Sequence, residues 1–351
     1  PMSGTTSDAK PRGLDGVVAA QTRMSHVDGQ NGVLIIGGYE LKELAGKVTF
    51  EEAAHLLWKG RLPSKDEKEE LTRAIATQRA LPETTLEIVR EAAKKGAPPI
   101  DTLRMACATL SLDLRNPNDI SPGADFDNAK MLVARFPTIV AAHTRFSAGL
   151  EPIAPRTDLS LAGNFLYMVF GKEPDPIAAK ALDTYWVTVI DHGMNASTFT
   201  SRVIASTRSD MVSAVTGAIG AMKGPLHGGA PGPVLDMLLE IKGEENAEPW
   251  VRNELAAGRR IMGFGHRVYK VRDPRAEVLS AVAEEMSGAV LHDKHLFDLA
   301  REVERTVLRV LDEVKPGRNL KTNVEFYTAL VLQSLGLKPN SFVALFACGR
   351  C

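Results

Sequence analysis

Apolar and polar residues follow a helical period along most of this chain. In "PRAEVLSAVAEEMSG" and "KHLFDLAREVERTVLRVLDEV", apolar residues recur every three or four positions, which places them on one face of a helix. The segment "VTFEEAAHLLWKGRLPS" holds Thr49 and, three residues later, Glu52, a capping-box pattern that predicts a helix start. Pro63 and Ser64 are predicted to end that helix and to begin the next one. The pattern therefore predicts a mostly helical protein.

Two segments rich in small residues predict long helices that pack closely and are buried. They are "DPIAAKALDTYWVTVIDH" and "ASTFTSRVIASTRSDMVSAVTGAIGAM". Patterns typical of strands are weak, and the best of them, "NGVLIIGGYE", predicts a short hairpin near the N-terminus. Strands do not alternate with helices, which argues against a doubly wound sheet. The predicted fold class is all-α with a minor N-terminal β-hairpin.

The length of the chain bears on its domain organisation. A chain of 351 residues is long for one hydrophobic core, which predicts one large domain or two unequal ones. The glycine-rich stretch that begins at Lys223 is a natural hinge candidate, so we place a boundary there. Residues 1–222 and 332–351 are predicted to form a larger helical domain, and residues 223–331 a smaller one.

The charge balance limits the class of partner. The net charge is −1, so no global basic field attracts nucleic acid or an acidic membrane. No apolar run reaches the length of a membrane span, and the polar start from Pro1 to Gly13 is predicted to be a disordered leader. The three cysteines fit a reducing cytoplasm, and the C-x-x-C of Cys348 and Cys351 lacks the context of a redox or metal motif. We therefore predict a cytoplasmic protein in which a local cluster holds any anionic ligand.

A histidine lies in the least regular part of the chain. In "KGPLHGGAPGPVLDML", His227 stands among glycines and prolines, directly before a helix predicted to begin near Pro233. The positive field of a helix start disfavours an imidazolium, and a neutral imidazole can donate a hydrogen bond to a developing oxyanion. The alternative, a loop histidine that caps the helix, remains open from this segment alone.

A basic cluster follows in "GRRIMGFGHRVYKVRDPRAE". From Arg259 to Arg275 there are six lysines and arginines and one acid, Asp273, which is typical of an anion site in a chain of nearly neutral charge. Such side chains bind phosphates or carboxylates. The candidates are Arg260, Arg267, Lys270, Arg272 and Arg275. The alternative is a solvated charged face, and the flexible backbone of "GFGH" around His266 argues against it.

Two further segments carry candidate chemistry. In "KTNVEFYTALVLQSLG", Glu325 has mostly apolar neighbours, which would raise the pKa of its carboxyl group and strengthen it as a base. A surface glutamate on a helix is the alternative. In "DHGMNASTFTSR", His192 and Asn195 precede a predicted helix, with Ser197 and Thr198 as possible caps. A metal site of His227, His266 and Glu325 is disfavoured because no short-spaced ligand pair is present, so no metal is predicted.

These four segments, taken together, resemble the signature regions of citrate synthases. The matching stretches are "DHGMNAST", "GPLHGGAP", "GFGHRVYKVRDPRA" and "NVEFYT". The N-terminal "GLDGVVAAQTRMSHVDGQNGVLIIGGYELKELA" and "FEEAAHLLWKGRLPS" resemble the bacterial branch, so the likeness covers the chain from about Gly13.

The resemblance implies an almost entirely helical homodimer whose large and small domains close over the site. It implies an acyltransferase that condenses acetyl-CoA with oxaloacetate and then hydrolyses the citryl thioester. Oxaloacetate and acetyl-CoA are the expected partners, with acetyl-CoA as co-substrate and no tightly bound cofactor. No nucleic acid and no membrane are expected.

The resemblance also implies a role for each matching residue. His227 matches the histidine that stabilises the enol, Glu325 the base that removes the α-proton, and His266 the histidine that polarises the ketone. The expected oxaloacetate-binding residues are His192, Asn195, Arg275 and Arg350. The expected coenzyme A-binding residues are Arg267, Lys270, Arg272, Gly263 and Gly265.

Three positions depart from the family pattern. Glu325 stands where aspartate is usual, Gly193 stands where glutamate is common, and the chain ends at Cys351 where the family continues into another helix and a tail. The last two of these departures keep a catalytically silent helical scaffold as an alternative. A 2-methylcitrate synthase that uses propionyl-CoA is another, because one methylene in an acyl pocket is worth only about 1–3 kcal/mol.

Overall fold

The computed structural model describes residues 17–228, 231–289 and 294–351. The predicted leader therefore lies outside the described residues. Within them, none of the helices combines the length and the apolar character needed to cross a membrane.

From residue 17 to residue 222, the first described range forms a small sheet and ten helices. Its strands are β1 (Ser25–Asp28), β2 (Val33–Ile36) and β3 (Tyr39–Glu40). Its helices are α1 (Leu41–Leu44), α2 (Phe50–Lys59), α3 (Lys65–Ala76), α4 (Glu83–Lys94), α5 (Pro99–Thr109), α6 (Pro122–Ser147), α7 (Leu161–Phe170), α8 (Pro176–Val189), α9 (Ala196–Ser206) and α10 (Met211–Met222).

The described residues after 230 add six more helices. They are α11 (Pro231–Ile241), α12 (Glu244–Ala256), α13 (Pro274–Ala289), α14 (Lys294–Val314), α15 (Val324–Ser334) and α16 (Phe342–Arg350). Short 3-10 turns cover Leu110–Asp113 and Pro339–Ser341. The prediction of an all-α fold with a small N-terminal β element is confirmed. The division into a larger and a smaller domain stays a prediction.

The capping box of α2 is present as predicted, but the end of that helix differs. Thr49 accepts a hydrogen bond from the Glu52 amide, and the Glu52 side chain accepts one from the Thr49 amide. The helix ends at Gly60, which has a left-handed φ of 78°, and not at Pro63. Ser64 caps α3. The glycine ends the helix first because it adopts the left-handed conformation without a Cβ penalty.

The small-residue segment after residue 195 forms two helices, so the prediction of one long buried helix was wrong. Arg208 has a φ of 66°, and Asp210 then caps α10 by accepting a hydrogen bond from the Ser213 amide at 2.9 Å. Most of α9 is also accessible, with Phe199 36% and Val203 49% exposed. The close packing that the small residues indicated is present between α9 and α10, where a methyl group at Gly217 would lie 2.3 Å from Cδ1 of Ile204.

The predicted hairpin is part of a three-stranded antiparallel sheet. The strand order is β1-β2-β3, with Ser25 opposite Ile36 and Asp28 opposite Val33. The sequence pattern identified β2 and β3, and β1 was not predicted because "SHVD" shows little apolar alternation.

The core is continuous around α8. Trp186 is fully buried, with its ring centroid 5.8 Å from that of Phe50 on α2 and 6.0 Å from that of Phe165 on α7. Its indole N–H donates to the Leu345 carbonyl on α16 at 3.1 Å. A methyl group at Gly349 would lie 2.8 Å from Cδ1 of Trp186, so the glycine lets α16 approach α8 closely. This approach fixes the end of α16, which carries Arg350.

Candidate active site

One cavity of about 420 Å³ collects most of the predicted site residues. It lies where the ends of α8, α15 and α16 meet the loops before α9, α11 and α13. The predicted residues that line it are His192, Asn195, His227, His266, Arg267, Arg275, Glu325 and Arg350. The structure therefore brings together side chains that are far apart in the sequence.

The loop that carries His266 is joined to the segment that carries Glu325. Gly265 donates its amide to the Lys321 carbonyl at 2.7 Å, and the Asn323 amide donates to the Gly263 carbonyl at 2.9 Å. Asn323 also donates its side-chain amide to the Gly265 carbonyl at 2.9 Å and caps α15 by accepting from the Glu325 amide. One asparagine thus fixes the base candidate relative to the His266 loop.

The ring of His266 is held in one tautomer. Its Nδ1 accepts hydrogen bonds from the amides of Val268 at 3.0 Å and Tyr269 at 3.1 Å, so the proton of the neutral ring is on Nε2. Burial, with a smaller contribution from Arg275, lowers the pKa of His266 to about 4. Nε2 lies 3.3 Å from Nη2 of Arg275. Two donors at this spacing favour a shared acceptor, such as an oxygen of an anionic ligand.

His192 lies beside His266 on the same side of the cavity. The centroids of the two rings are 5.6 Å apart, and Nε2 of His192 is 3.1 Å from the Tyr269 hydroxyl. Burial lowers the pKa of His192, and the charges of Arg275 and Arg350 lower it further. Both histidines are therefore neutral at physiological pH.

Two guanidinium groups, one on a buried and one on a half-buried arginine, bring positive charge to the cavity. Arg275 is 5% exposed, and its Nε and Nη2 donate to the two carboxylate oxygens of Asp273 at 3.0 and 2.8 Å. Arg350 donates its Nε to the Val189 carbonyl. Burial and the charge of Arg275 lower the pKa of Arg350 to about 10. Arg275 is paired with Asp273, whereas the Nε of Arg350 donates to a neutral carbonyl, so Arg350 is the guanidinium group better placed to bind an anion.

Glu325 lies in the first turn of α15 and faces this cavity. Burial raises the pKa of its carboxyl group above the usual 4.5, and the opposing effect of Arg275 is smaller. The prediction of a desolvated carboxylate therefore agrees in direction with the structure. A carboxylate in this environment is a stronger base than one in water.

His227 contacts a side chain that was predicted only as a possible cap. Its Nε2 is 2.9 Å from the Ser197 hydroxyl, which is 2.7 Å from Oδ1 of Asn195. The same Oδ1 accepts from the Thr198 amide and caps α9, so Asn195 both caps a helix and lines the cavity. Burial lowers the pKa of His227, followed by the charge of Arg350. Both effects favour the neutral ring.

The remaining coenzyme A candidates have other neighbours. Lys270 is exposed and donates to the Arg267 carbonyl at 3.4 Å, while Arg272 pairs with Glu304 at 3.3 Å. A methyl group at Gly263 would lie 2.9 Å from Cδ2 of Phe326, so helix packing accounts for that glycine. Gly265 has a left-handed φ of 89°. None of these four lines the cavity, so their roles stay predictions.

Sequence reasoning missed three contributors to the geometry. Tyr269 contacts both His192 and His266, Asp273 holds Arg275, and Ser197 holds His227. Tyr269 and Asp273 were visible in "GFGHRVYKVRDPRA", but their partners became evident only in the fold. Among the described residues, no group of three or more histidines, cysteines and carboxylates is arranged to hold a metal ion.

Comparison with known families agrees with this geometry. The family described as "Citrate synthase, C-terminal domain" matches residues 13–351. This chain belongs to the citrate synthase family. Two curated relatives are "Citrate synthase 2" of Bacillus subtilis (strain 168), 40% identical, and "Citrate synthase" of Synechocystis sp. (strain ATCC 27184 / PCC 6803 / Kazusa), 41% identical. The alignments cover 97% and 99% of this chain and 88% and 86% of those relatives.

Other members of the family extend the comparison. "Citrate/2-methylcitrate synthase" of Bacillus subtilis (strain 168) is 37% identical over 96% of this chain and 89% of its own length. The crystal structure of citrate synthase from Thermotoga maritima MSB8 is 39% identical, has a TM-score of 0.83, and aligns over 97% of this chain and 88% of that one. A Thermoplasma acidophilum citrate synthase in ternary complex with carboxymethyl coenzyme A and oxaloacetate is 28% identical, has a TM-score of 0.87, and aligns over 95% and 87% of the two chains.

Proposed function

We propose that this member of the family condenses acetyl-CoA with oxaloacetate and hydrolyses the citryl thioester, releasing citrate and coenzyme A. The observation that carries the proposal is the cavity itself, which places Glu325, with its raised pKa, in one space with the neutral rings of His227 and His266. Proton abstraction next to a thioester needs a base on one side and a hydrogen-bond donor on the other. This cavity offers both.

Oxaloacetate fits the half of the cavity with the arginines. Arg275 and Arg350 are proposed to bind its two carboxylates, because guanidinium groups match carboxylates in charge and geometry. His192 and Asn195 line the same space and are proposed to contact the substrate as well. The Nε2–H of His266 is proposed to donate to the ketone oxygen, which makes the carbonyl carbon more electrophilic.

Enolisation is proposed to use Glu325 and His227. The Glu325 carboxylate removes a proton from the methyl carbon of acetyl-CoA, and His227 donates a hydrogen bond to the thioester oxygen as negative charge develops there. Ser197 occupies Nε2 of His227, which leaves Nδ1 for the substrate. In the structure the Ser197 hydroxyl donates to Oδ1 of Asn195, so it accepts from Nε2–H of His227. The proposed mechanism therefore requires this hydroxyl to turn and donate to Nε2 when substrate binds, which moves the ring proton to Nδ1. Ser197 is therefore a positioning residue in this proposal.

Carbon–carbon bond formation and hydrolysis complete the reaction. The enol carbon attacks the ketone carbon that His266 polarises, and the ketone oxygen takes up a proton to become the hydroxyl of citryl-CoA. Water then attacks the thioester carbonyl, the carbon–sulfur bond breaks, and coenzyme A leaves as the thiol. Only side chains and substrates take part, so the proposal includes no tightly bound cofactor and no metal.

Coenzyme A is proposed to lie along the exposed edge of the His266 loop. Arg267 lines the cavity and Lys270 follows it on the surface, so these two side chains are the leading candidates for the phosphates. Closure of the predicted domain of residues 223–331 over the site is proposed to exclude water until the new bond has formed.

A homodimer is proposed from the accessible apolar face of α9. Phe199 and Val203 lie exposed on that helix, and an adjoining groove of about 370 Å³ runs along α6, α9 and α10. Exposed apolar surface of this kind typically marks a protein interface.

The cytoplasmic location remains a prediction from cysteine usage. Burial raises the pKa of the Cys348 thiol, which is unlike a reactive redox cysteine.

A thiol-release assay tests the proposed reaction. Acetyl-, propionyl- and butyryl-CoA are each supplied with and without oxaloacetate, and free coenzyme A is measured. We expect release only with oxaloacetate and the highest kcat/KM with acetyl-CoA. The relative named "Citrate/2-methylcitrate synthase" supports one alternative, and a higher kcat/KM with propionyl-CoA would establish it. Absence of release with every thioester would favour the silent scaffold.

A further inference from the structure

The N-terminal hairpin touches both loops that carry the paired histidines. The Lys270 amide, in the His266 loop, donates to the Gly29 carbonyl at 2.8 Å. The Gly193 amide, next to His192, donates to the Ser25 hydroxyl at 2.9 Å. The resemblance assigned no role to this hairpin. It lies on the other side of the predicted boundary from the His266 loop.

The β1–β2 turn approaches the His266 loop too closely for a side chain. A methyl group at Gly29 would lie 2.2 Å from the carbonyl oxygen and 2.7 Å from the carbonyl carbon of Val268. These are backbone atoms and cannot rotate away. At Gly32, where φ is 67°, a methyl group would lie 2.7 Å from Cγ2 of Val271. The turn therefore fits directly against the backbone of residues 268–272.

The turn is itself held in shape by Asp28. Its Oδ1 accepts from the amides of Gln30 at 3.1 Å and Asn31 at 3.0 Å, and its Oδ2 accepts from the Asn31 side chain at 2.8 Å. The pairing of Asp28 with Val33 fixes the register at the base of the turn. Hydrogen bonds within the hairpin therefore fix the shape of the turn that contacts the His266 loop.

The backbone that meets the turn is the backbone that orients the histidines. Val268 and Tyr269 donate their amides to Nδ1 of His266, and the Tyr269 hydroxyl contacts His192. A shift of Val268 would lengthen the bonds that place the proton of His266 on Nε2. A side chain at Gly29 that displaces Val268 would therefore also displace the ring of His266, which is proposed to donate to the ketone.

We propose that the β1–β2 turn braces the His266 loop, and that Gly29 is a positioning residue for polarisation of the oxaloacetate ketone. The inference rests on the proposed function, because the orientation of His266 affects the reaction only through its hydrogen bond to the oxaloacetate ketone. Gly29 acts through Val268 and Tyr269 and touches no substrate.

The test measures ketone polarisation directly. Oxaloacetate labelled with ¹³C at the keto carbon is bound to the full chain, and its chemical shift is compared with that of free oxaloacetate. For Gly29→Ala we expect at least half of the binding-induced shift to be lost and kcat/KM for oxaloacetate to fall at least tenfold. Gln30→Ala, at an exposed position in the same turn, and Gly123→Ala, where a methyl group meets nothing within 4 Å, should match the parent protein.

A second pair of variants keeps the test decisive if Gly29→Ala does not fold. Asp28→Ala loosens the turn without a clash and should reduce the chemical-shift change and lower kcat/KM about threefold. Asp28→Asn retains one acceptor oxygen for the amides of Gln30 and Asn31, loses only the bond from the Asn31 side chain, and should restore most of both. The brace is overturned if folded Gly29→Ala gives the chemical shift of the parent protein, even if activity falls. If Gly29→Ala does not fold, the same result with Asp28→Ala overturns it. A parent protein that polarises the ketone but releases no coenzyme A contradicts only the proposed function.

Discussion

Glu325, His227 and His266 share one leading physical cause for their shifted pKa values. Burial disfavours the charged form of each group, so it raises the pKa of the carboxyl group and lowers the pKa values of both imidazoles. At neutral pH the imidazoles are neutral donors. The carboxylate is a stronger base than it would be in water. Burial in one cavity therefore provides both the base and the neutral hydrogen-bond donors that the proposed reaction needs.

The pH dependence of kcat tests the role of Glu325. The group must be ionised to accept a proton, so kcat should fall as pH decreases through its pKa, which lies above 4.5. The pKa of His266 is about 4, so that ring should stay neutral through most of this range. Glu325→Gln should lower kcat by about 10²–10⁴-fold with little change in KM.

Glu325→Asp is the matched control because it keeps a carboxylate and shortens the side chain by one methylene. It should retain more activity than Glu325→Gln, together with an acid limb in its pH profile. A glutamine variant with the kcat of the parent protein would remove Glu325 from the mechanism.

At the scale of elements, Glu304 joins α14 to the segment that leads into the site. This buried carboxylate accepts hydrogen bonds from Thr322 at 2.6 Å and from the Tyr327 hydroxyl at 2.5 Å, and it lies 3.3 Å from Arg272. Thr322 also pairs with Phe264 across the two site segments. The position of α15, and with it that of Glu325, depends on this junction.

Removal of this carboxylate should destabilise the protein strongly. Glu304→Ala leaves the buried hydroxyl groups of Thr322 and Tyr327 without their acceptor, which should lower the free energy of unfolding by about 3 kcal/mol. Glu302→Ala, on the same helix, removes only a surface pair with Arg305 and should cost at most about 0.5 kcal/mol. Urea unfolding provides the measurement. Equal midpoints for the two variants would show that Glu304 does not stabilise the protein through this junction.

At the scale of the whole molecule, the exposed face of α9 is expected to be covered by a second copy. Light scattering should give twice the mass of one chain for the parent protein. Val203→Asp would bury a charge in the interface and should shift the mass to that of one chain. Leu239→Asp, at a 55% exposed position on α11, is the matched control and should leave the mass unchanged. A single-chain mass for the parent protein would reject the dimer.

Local signals in the sequence were sufficient for much of the helical structure. The capping box of Thr49 and Glu52 and the apolar spacing of α13 and α14 depend on residues three or four positions apart. The break between α9 and α10 was missed, although Asp210 is a good helix cap. Small, helix-compatible residues on both sides obscured it, because periodicity does not stop where a single residue turns left-handed.

The sequence by itself determined that the protein is helical and which residue types could carry its chemistry. Only the tertiary structure decided that His192, His227, His266, Glu325 and Arg350 face one cavity. It also decided that His266 is held as the Nε2–H tautomer and that Ser197 holds His227. The physical reason is range: helix formation follows from neighbours within one or two turns, whereas burial and hydrogen-bond partners at the site come from segments as distant as residues 29 and 270.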